Sequence, residues 1–251
     1  MDESSIAKSS IEWRQGQPYA NAFQDVYFSS DNGLLETEYV FLQGNQLSAR
    51  WQHLSTKTFT IAETGFGTGL NFLCAVKLWL ASAPNDAVLH FISLEKYPLN
   101  LADLTKALQL WPELQALSTP FLAEYAQLLS TSAINNTQTV MLFDNRVRLT
   151  LIIDDATAGL KSLNLANFNN ASTTIDAWFL DGFSPAKNPD MWQVALFEQM
   201  ARLSNLTTTF ATFTSAGAVR RGLIANDFVV KKQAGFGKKR EMLFGQFLHD
   251  K

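Results

Sequence analysis

Acidic residues close several apolar runs of this 251-residue chain. In "DAWFLDGFSPAKNPDMW" (176–192) an apolar run ends in Asp181, followed by Gly182 and a turn bracketed by Pro185 and Pro189. In "ETGFGTGLNF" Glu63 stands two residues before Gly65, and Gly67 and Gly69 complete the spacing E-x-G-x-G-x-G. The run "AVLHFISLE" ends in Glu95, thirty residues after Gly65, and "VRLTLIID" ends at Asp154 beside Asp155. Glycines between a strand and a helix let the backbone turn sharply. They also bring amides close to a ligand at the positive helix N-terminus. The spacing is not the G-x-G-x-x-G of dinucleotide sites, which disfavours a nicotinamide dehydrogenase. A carboxylate at the tip of the next strand, here Glu95, can accept both hydroxyls of a ribose. Asp154 or Asp155 could receive an adenine amino group. Taken singly, each acid could equally be a helix N-cap or a solvated strand end. Their row at strand carboxyl ends, where open α/β sheets bind ligands, is what points to a site.

The elements that must hold this row alternate from residue 58 onward. Strands are predicted at 58–63, 87–95, 147–154, 175–180 and 207–214. Helices are predicted at 68–83, 99–111, about 190–203 and 216–226. In the first of these helices Leu70, Leu73, Val76, Lys77 and Leu80 recur at helical spacing. Nearly continuous apolar strands alternating with helices argue for a mostly parallel sheet covered on both faces. Residues 112–146 depart from the alternation, with short helices in "PELQAL" and "PFLAEYAQLL" and a hairpin turning at Asp144-Asn145. The runs "DFVVKK" and "EMLFGQF" flank a glycine-containing loop, as a final antiparallel hairpin would. Residues 1–57 read as an extension packed on a main domain of 58–251, since no Pro/Gly/Ser-rich linker separates them. The polar loops "TSAINNTQT" (131–139) and "LNLANFNNASTT" (163–174) interrupt the pattern.

Composition narrows the class. A chain that is 47% apolar and 17% charged can bury a sizeable core, which excludes wholesale disorder. The single cysteine, Cys74, cannot form an intramolecular disulfide and lies on the apolar stretch of a helix, so it reads as packing in a reducing compartment. The histidines His53, His90 and His249 are scattered, with no acidic pair at ligand spacing, and no metal site is legible. "MDESSIAKSS" has neither a basic nor an apolar leader region, and no apolar run approaches the length of a membrane span. A soluble, cytoplasmic protein is expected.

The blocks "DVYFSSDNGLLETEYVFLQGN", "ETGFGTGLNFL", "DAWFLDGFSPAKNPDMW" and "GFGKKREML" span about residues 12–247. Together they resemble the class I S-adenosylmethionine-dependent methyltransferases. More narrowly, they are similar to the methyltransferase domain of the MnmC family, which modifies the wobble uridine of tRNA. The resemblance implies a Rossmann-like fold with a seven-stranded, mostly parallel sheet, a C-terminal antiparallel hairpin strand and an N-terminal extension. It implies methyl transfer from S-adenosyl-L-methionine to the aminomethyl group on carbon-5 of the wobble uridine. It also implies a cofactor site at Glu63, Gly65, Phe66, Gly67, Gly69, Asn71, Glu95, Lys96, Asp154, Asp155 and Asp181, with Asp181 as the catalytic carboxylate. In many such enzymes a flavin oxidase domain follows and supplies the amine. The sequence stops at "FLHDK" with no second glycine-rich fingerprint. A standalone transferase or a trimmed part of a longer chain is therefore expected.

Asp181 would anchor the amine and relay its proton, with the turn "SPAKNP" keeping it rigid. An anticodon-loop base can be splayed out and stacked on aromatic side chains. Phe183 or Trp192 could wall the base, and Tyr27, Phe28 and Phe66 are candidates for stacking, although aromatics are core residues more often. Lys187 could neutralise a phosphate or cap its turn. Between 220 and 240 there are seven basic residues (Arg220, Arg221, Lys231, Lys232, Lys238, Lys239 and Arg240) and one acid, Asp227. On a chain of net charge −3 this is either a face for a polyanion such as tRNA or a solvated surface. Lys238, Lys239 and Arg240 are the phosphate contacts expected. The rival readings are an aminopropyltransferase or small-amine methyltransferase of the same fold, and a non-catalytic tRNA-binding module. The turn after Asp181 lacks the acid-rich Asp-Pro motif of aminopropyltransferases. A dead module would have lost Asp181 or the glycines.

Overall fold

The structure, a computed structural model, describes residues 11–28, 32–131, 136–168 and 173–248. The N-terminal stretch 1–10, parts of both polar loops, and His249 lie outside the described residues. The strands are β1 Ile11–Arg14, β2 Gln17–Ala20, β3 Asp25–Val26, β4 Thr58–Glu63, β5 Val88–Leu94, β6 Thr137–Leu142, β7 Val147–Ile152, β8 Ala177–Phe179, β9 Thr209–Thr212, β10 Phe228–Ala234 and β11 Glu241–Phe247. The α-helices are α1 Gly33–Thr37, α2 Leu47–Gln52, α3 Leu70–Ser82, α4 Leu101–Leu108, α5 Gln115–Thr131, α6 Ala156–Ser162, α7 Val194–Arg202 and α8 Gly217–Ala225.

The main sheet has eight strands in the order β10-β11-β9-β8-β4-β5-β7-β6. β4, β5, β7, β8 and β9 run parallel to their neighbours within that set. β6, β10 and β11 are antiparallel. The eighth strand is β6. The hairpin read at Asp144-Asn145 joins the sheet edge beside β7, with Leu142 opposite Val147 and positive φ from Phe143 through Asn145. Chain order reverses at β4, which leads on one side to β5 and on the other to β8. That reversal opens a crevice at the strand carboxyl ends, where open α/β sheets take ligands.

Both faces of the sheet are covered, which is why β4 is buried along nearly its whole length. One core layer gathers α3 and α5 with Val40, Phe41, Leu47 and Trp51 of the N-terminal helical stretch. The other gathers Leu160, Leu196, Phe197, Val219 and Leu223 from α6, α7 and α8. Two short helices expected over 112–129 are instead one 3₁₀ turn, Pro112–Leu114, running into α5 with Pro120 inside it. Proline removes a helical hydrogen bond. The buried Phe121 and Tyr125 just beyond it offset that loss by packing into the core.

Residues 11–26 form a small antiparallel sheet, β1-β2-β3. α1 runs into a π-helical stretch, Glu38–Gln43, that reaches the main sheet. Asn45 Nδ2 donates to the Trp178 carbonyl (3.3 Å), and the Arg50 guanidinium donates to Thr209 Oγ1 (2.7 Å) and to the Asp176 carbonyl (3.0 Å). These bonds tie the α1–α2 segment to β8 and β9 and bring α1 to the edge of the crevice.

Candidate active site

Glu63 is the last residue of β4 and is fully buried. Its Oε2 accepts from Ser93 Oγ (2.6 Å) and its Oε1 from Asn71 Nδ2 (2.9 Å). The same Asn71 amide nitrogen donates to Asp181 Oδ2 (2.6 Å), and Thr37 Oγ1 donates to Asn71 Oδ1 (2.7 Å). One amide on α3 therefore spaces two carboxylates apart, and a hydroxyl from α1 fixes which way it faces. Burial pushes the Glu63 carboxyl well above the usual range; the Ser93 and Asn71 bonds oppose this, while Asp181 and Glu95 add to it.

Asp181 lies two residues past β8. Its Oδ1 accepts from the Gly182 N–H (2.8 Å), and each oxygen keeps a lone pair for a ligand. Burial pushes its carboxyl up to about 6, against the bonds from Gly182 and Asn71; Glu36 pushes further up and Lys239 pulls down. The turn beyond it is braced at several points. Thr64 Oγ1 donates to the Asp181 carbonyl (2.7 Å), Asp25 Oδ2 accepts the Ser184 N–H (3.1 Å), and Trp192 Nε1 donates to the Phe183 carbonyl (2.9 Å). Gly182 sits at φ +130°, and a Cβ there would lie 2.6 Å from Met191 Cε.

The glycine loop faces this turn. A Cβ on Gly65 would meet Gly182 Cα at 3.2 Å, while Gly67 and Gly69 take φ +52° and +69°. Glu95 follows β5 directly; its Oε2 accepts the Gly67 N–H (2.9 Å) and its Oε1 the Tyr97 N–H (2.8 Å), and the Lys96 N–H also bonds to the carboxylate. Burial raises its carboxyl, and these amides partly oppose the rise. A cleft of about 340 Å³ runs from Glu95 and the loop past Asn71 and Asp181 to Phe183. That volume is in the range of small-ligand sites. A close-approaching glycine backbone with a strand-end carboxylate beside it fits a nucleoside-bearing cofactor.

The cleft brings together Gly65, Phe66, Gly67, Asn71, Glu95, Asp181, Phe183, Tyr27, Phe28 and Lys239 of the residues singled out in the sequence. Glu63 and Gly69 lie directly behind them. Phe66 is also a core residue, packed near Phe121 and Tyr125. Tyr27 meets Phe183 edge-on (5.3 Å), and Phe23 stacks on Phe183 (4.5 Å). Asp155 caps α6, accepting from the Thr157 and Ala158 N–H groups, and stands 3.7 Å from exposed Lys96. Asp154 accepts the Asp155 N–H; these three residues do not line the cleft. Trp192 is buried behind the turn, and Lys187 is exposed on it, its N–H closing the turn on the Ser184 carbonyl (2.8 Å). Lys238 and Arg240 are exposed and stand outside the cleft, whereas Lys239 turns inward to Glu36.

The sequence reading missed Glu36, Thr37, Asp25, Ser184 and Phe213, all of which line the cleft. An acid and a hydroxyl inside the apolar run "GLLETEYVFL" were the available clue. Away from the cleft, His90 is buried, and burial and Arg148 press it down to about 3; Cys74 is buried, its thiol pushed up to about 12. Among the described residues no cluster of His, Cys, Asp and Glu could hold a metal ion, and no helix is long and apolar enough to cross a membrane.

The sequence pattern of an S-adenosyl-L-methionine-dependent methyltransferase family matches residues 112–247. The tRNA 5-methylaminomethyl-2-thiouridine biosynthesis bifunctional protein MnmC of Methylobacillus flagellatus is 53% identical over 242 residues, covering 96% of this chain and 35% of that protein. The protein of the same name from Chromobacterium violaceum is 52% identical over 236 residues, covering 94% and 34%. The chain thus spans about a third of the length of these curated relatives. Among solved structures, MnmC2 from Aquifex aeolicus superposes with a TM-score of 0.68 at 19% identity, covering 99% of this chain and 75% of that one, which shows a shared fold.

Proposed function

Because this chain belongs to the S-adenosyl-L-methionine-dependent methyltransferase family, we propose that it methylates the exocyclic amine of 5-aminomethyl-(2-thio)uridine at the wobble position of tRNA, giving the 5-methylaminomethyl base. The observation that carries this reading is Asp181, a carboxylate with free lone pairs held in the cleft beside the glycine loop. The relatives' names supply the nucleoside and the tRNA. Their description as bifunctional supports a partner activity, and a flavin-dependent oxidase domain or protein delivering the amine is the one proposed. The reaction belongs in the cytoplasm, where tRNA is matured.

S-adenosyl-L-methionine would supply an activated methyl group; Glu95 would meet its ribose hydroxyls, the glycine loop Gly65–Gly69 would pass close beside it, and Glu63 and Asn71 would back the site. Asp154, Asp155 and Lys96 would serve its adenine side only through a rearrangement of the α6 cap. The substrate amine is the difficult partner. With a lysine-like pKa of about 10.4 it arrives as an ammonium, and freeing its lone pair costs up to ~4–5 kcal/mol at pH 7. Asp181, titrating at about 6, is ionised at that pH. It attracts the ammonium, holds the nitrogen in line and accepts its proton. The aromatic cluster of Phe183, Tyr27 and Phe28 lines the cleft and offers a wall for the base. Lys187, Lys238 and Arg240 face outward where a phosphate backbone would pass.

The test is nucleoside mass spectrometry of tRNA carrying the free amine, after incubation with protein and S-adenosyl-L-methionine. Conversion to the methylamine is expected. Labelled methyl on any other nucleoside, or none at all, would refute the assignment.

A further inference from the structure

Glu36 stands in the first turn of α1 with its side chain only 11% exposed, so its carboxylate needs a partner where it lies. That partner comes from the other end of the chain. Lys239, in the β10–β11 turn, reaches across the cleft mouth, and its Nζ meets Glu36 Oε1 at 2.6 Å. The ammonium also lies 4.3 Å over the ring of Phe213, itself a cleft residue. Its neighbours Lys238 and Arg240 stay outside, so Lys239 alone of this run brings charge to the site. Tyr39 Oη donates to the Ala234 carbonyl (2.9 Å), and the ring of Tyr39 lies 6.2 Å from that of Phe236, bracing the same two walls.

Two opposite charges therefore line the cleft that holds Asp181. The other ionisable groups near Asp181 come from different elements. Glu63 on β4 is separated from it by the Asn71 amide. Asp25, Tyr27 and Glu95 line the same cleft from β3, the segment after it and the end of β5. Glu36 disfavours the ionised form of Asp181, and Lys239 favours it.

We infer that Glu36 and Lys239 are positioning residues for the transfer, an opposed pair whose balance sets how readily Asp181 takes the amine proton and gives it up. The inference rests on the reading of Asp181 as the acceptor of that proton. With Lys239 alone, Asp181 would be a weaker base. With Glu36 alone, it would hold the proton longer and stay neutral when the next ammonium arrives. The pair keeps the carboxylate between these limits, and it links that balance to the docking of the first helix on the last hairpin.

The test titrates Asp181 directly, by carbon-13 NMR of carboxyl-labelled aspartates in the whole chain, without methyl donor or tRNA, with Asp181→Asn assigning the resonance. Glu36→Gln should lower the Asp181 midpoint and Lys239→Met should raise it. Each shift should be about half a unit, a fraction of the roughly 1–3 units of a charge in direct contact. Lys239→Arg keeps the charge and should leave the midpoint near that of the unaltered protein. The acidic limb of tRNA methylation should move in the same two directions. Midpoints that stay put, or move the same way in both variants, overturn the inference even if the unaltered protein methylates tRNA. Midpoints that separate in a protein that methylates no amine would leave the pair's effect standing and refute the proposed function instead. If Lys239→Met fails to fold, Glu36→Gln and Lys239→Arg still decide.

Discussion

Replacing Asp181 by Asn makes a stability prediction whose size follows from the site. Burial raises this carboxyl from 3.8 to about 6. The folded pKa lies above the unfolded one, so the folded state holds the proton more tightly. The associated stability is fully present below the unfolded pKa and is lost as pH rises through about 6. The whole interval is worth about 3 kcal/mol at 1.36 kcal/mol per unit, and about 2 kcal/mol of it falls between pH 4.5 and 7.5. Asparagine does not titrate, so the variant escapes this loss. It carries its own cost. With its oxygen on the Gly182 N–H, its amide faces the Asn71 amide, donor against donor, at about 1–3 kcal/mol. That cost does not vary with pH. The difference in unfolding free energy between the two proteins should therefore shift by about 2 kcal/mol in favour of the variant from pH 4.5 to 7.5, whatever its absolute value. Urea unfolding at several pH values measures it. A difference constant to within about 0.5 kcal/mol would mean that Asp181 is not a strained carboxylate, and the argument from its burial would fail.

Glu95→Ala should weaken S-adenosyl-L-methionine binding by roughly 1.5 to 3 kcal/mol, read by calorimetric titration, and an unchanged dissociation constant would remove Glu95 from the cofactor site. Lys238→Ala with Arg240→Ala should make the salt dependence of tRNA affinity shallower by about 1.4 in logarithmic slope, with cofactor affinity unaltered; equal slopes would place the RNA elsewhere. Gly182→Ala must hold φ +130° and press a methyl against Met191, so it should cost about 1–3 kcal/mol in urea unfolding, and a neutral result would show that the turn yields.

The strands and helices that carry the row of acids were legible because their patterns are strong. β4, β5 and β7 are mostly apolar runs that end in or lead into acids, and the glycine loop announces the turn between β4 and α3. The N-terminal fifty residues were not. A two-residue strand, β3, and a π-helical stretch leave no periodicity to read, and their burial is decided by long-range bonds such as Arg50 to Thr209. The same reason hid Glu36 and Thr37, whose roles exist only once α1 is laid against α3 and the last hairpin. Lys239 shows the limit of charge counting. In sequence it belongs with Lys238 and Arg240, but a buried carboxylate draws it inward. Asp155 shows the converse, since an acid before "ATAGLKS" is also a good N-cap, and the helix takes both of its N–H bonds.

Whether Asp181 takes the amine proton is decided by single-turnover methylation of amine-bearing tRNA, with the methyl donor bound beforehand, by the unaltered protein and by Asp181→Asn. The unaltered protein should yield the methylamine. The variant should bind the donor normally yet react about 10²- to 10⁴-fold more slowly, the span typical of a lost general base. Equal rates in the two proteins would leave Asp181 as no more than a structural residue of the turn after β8.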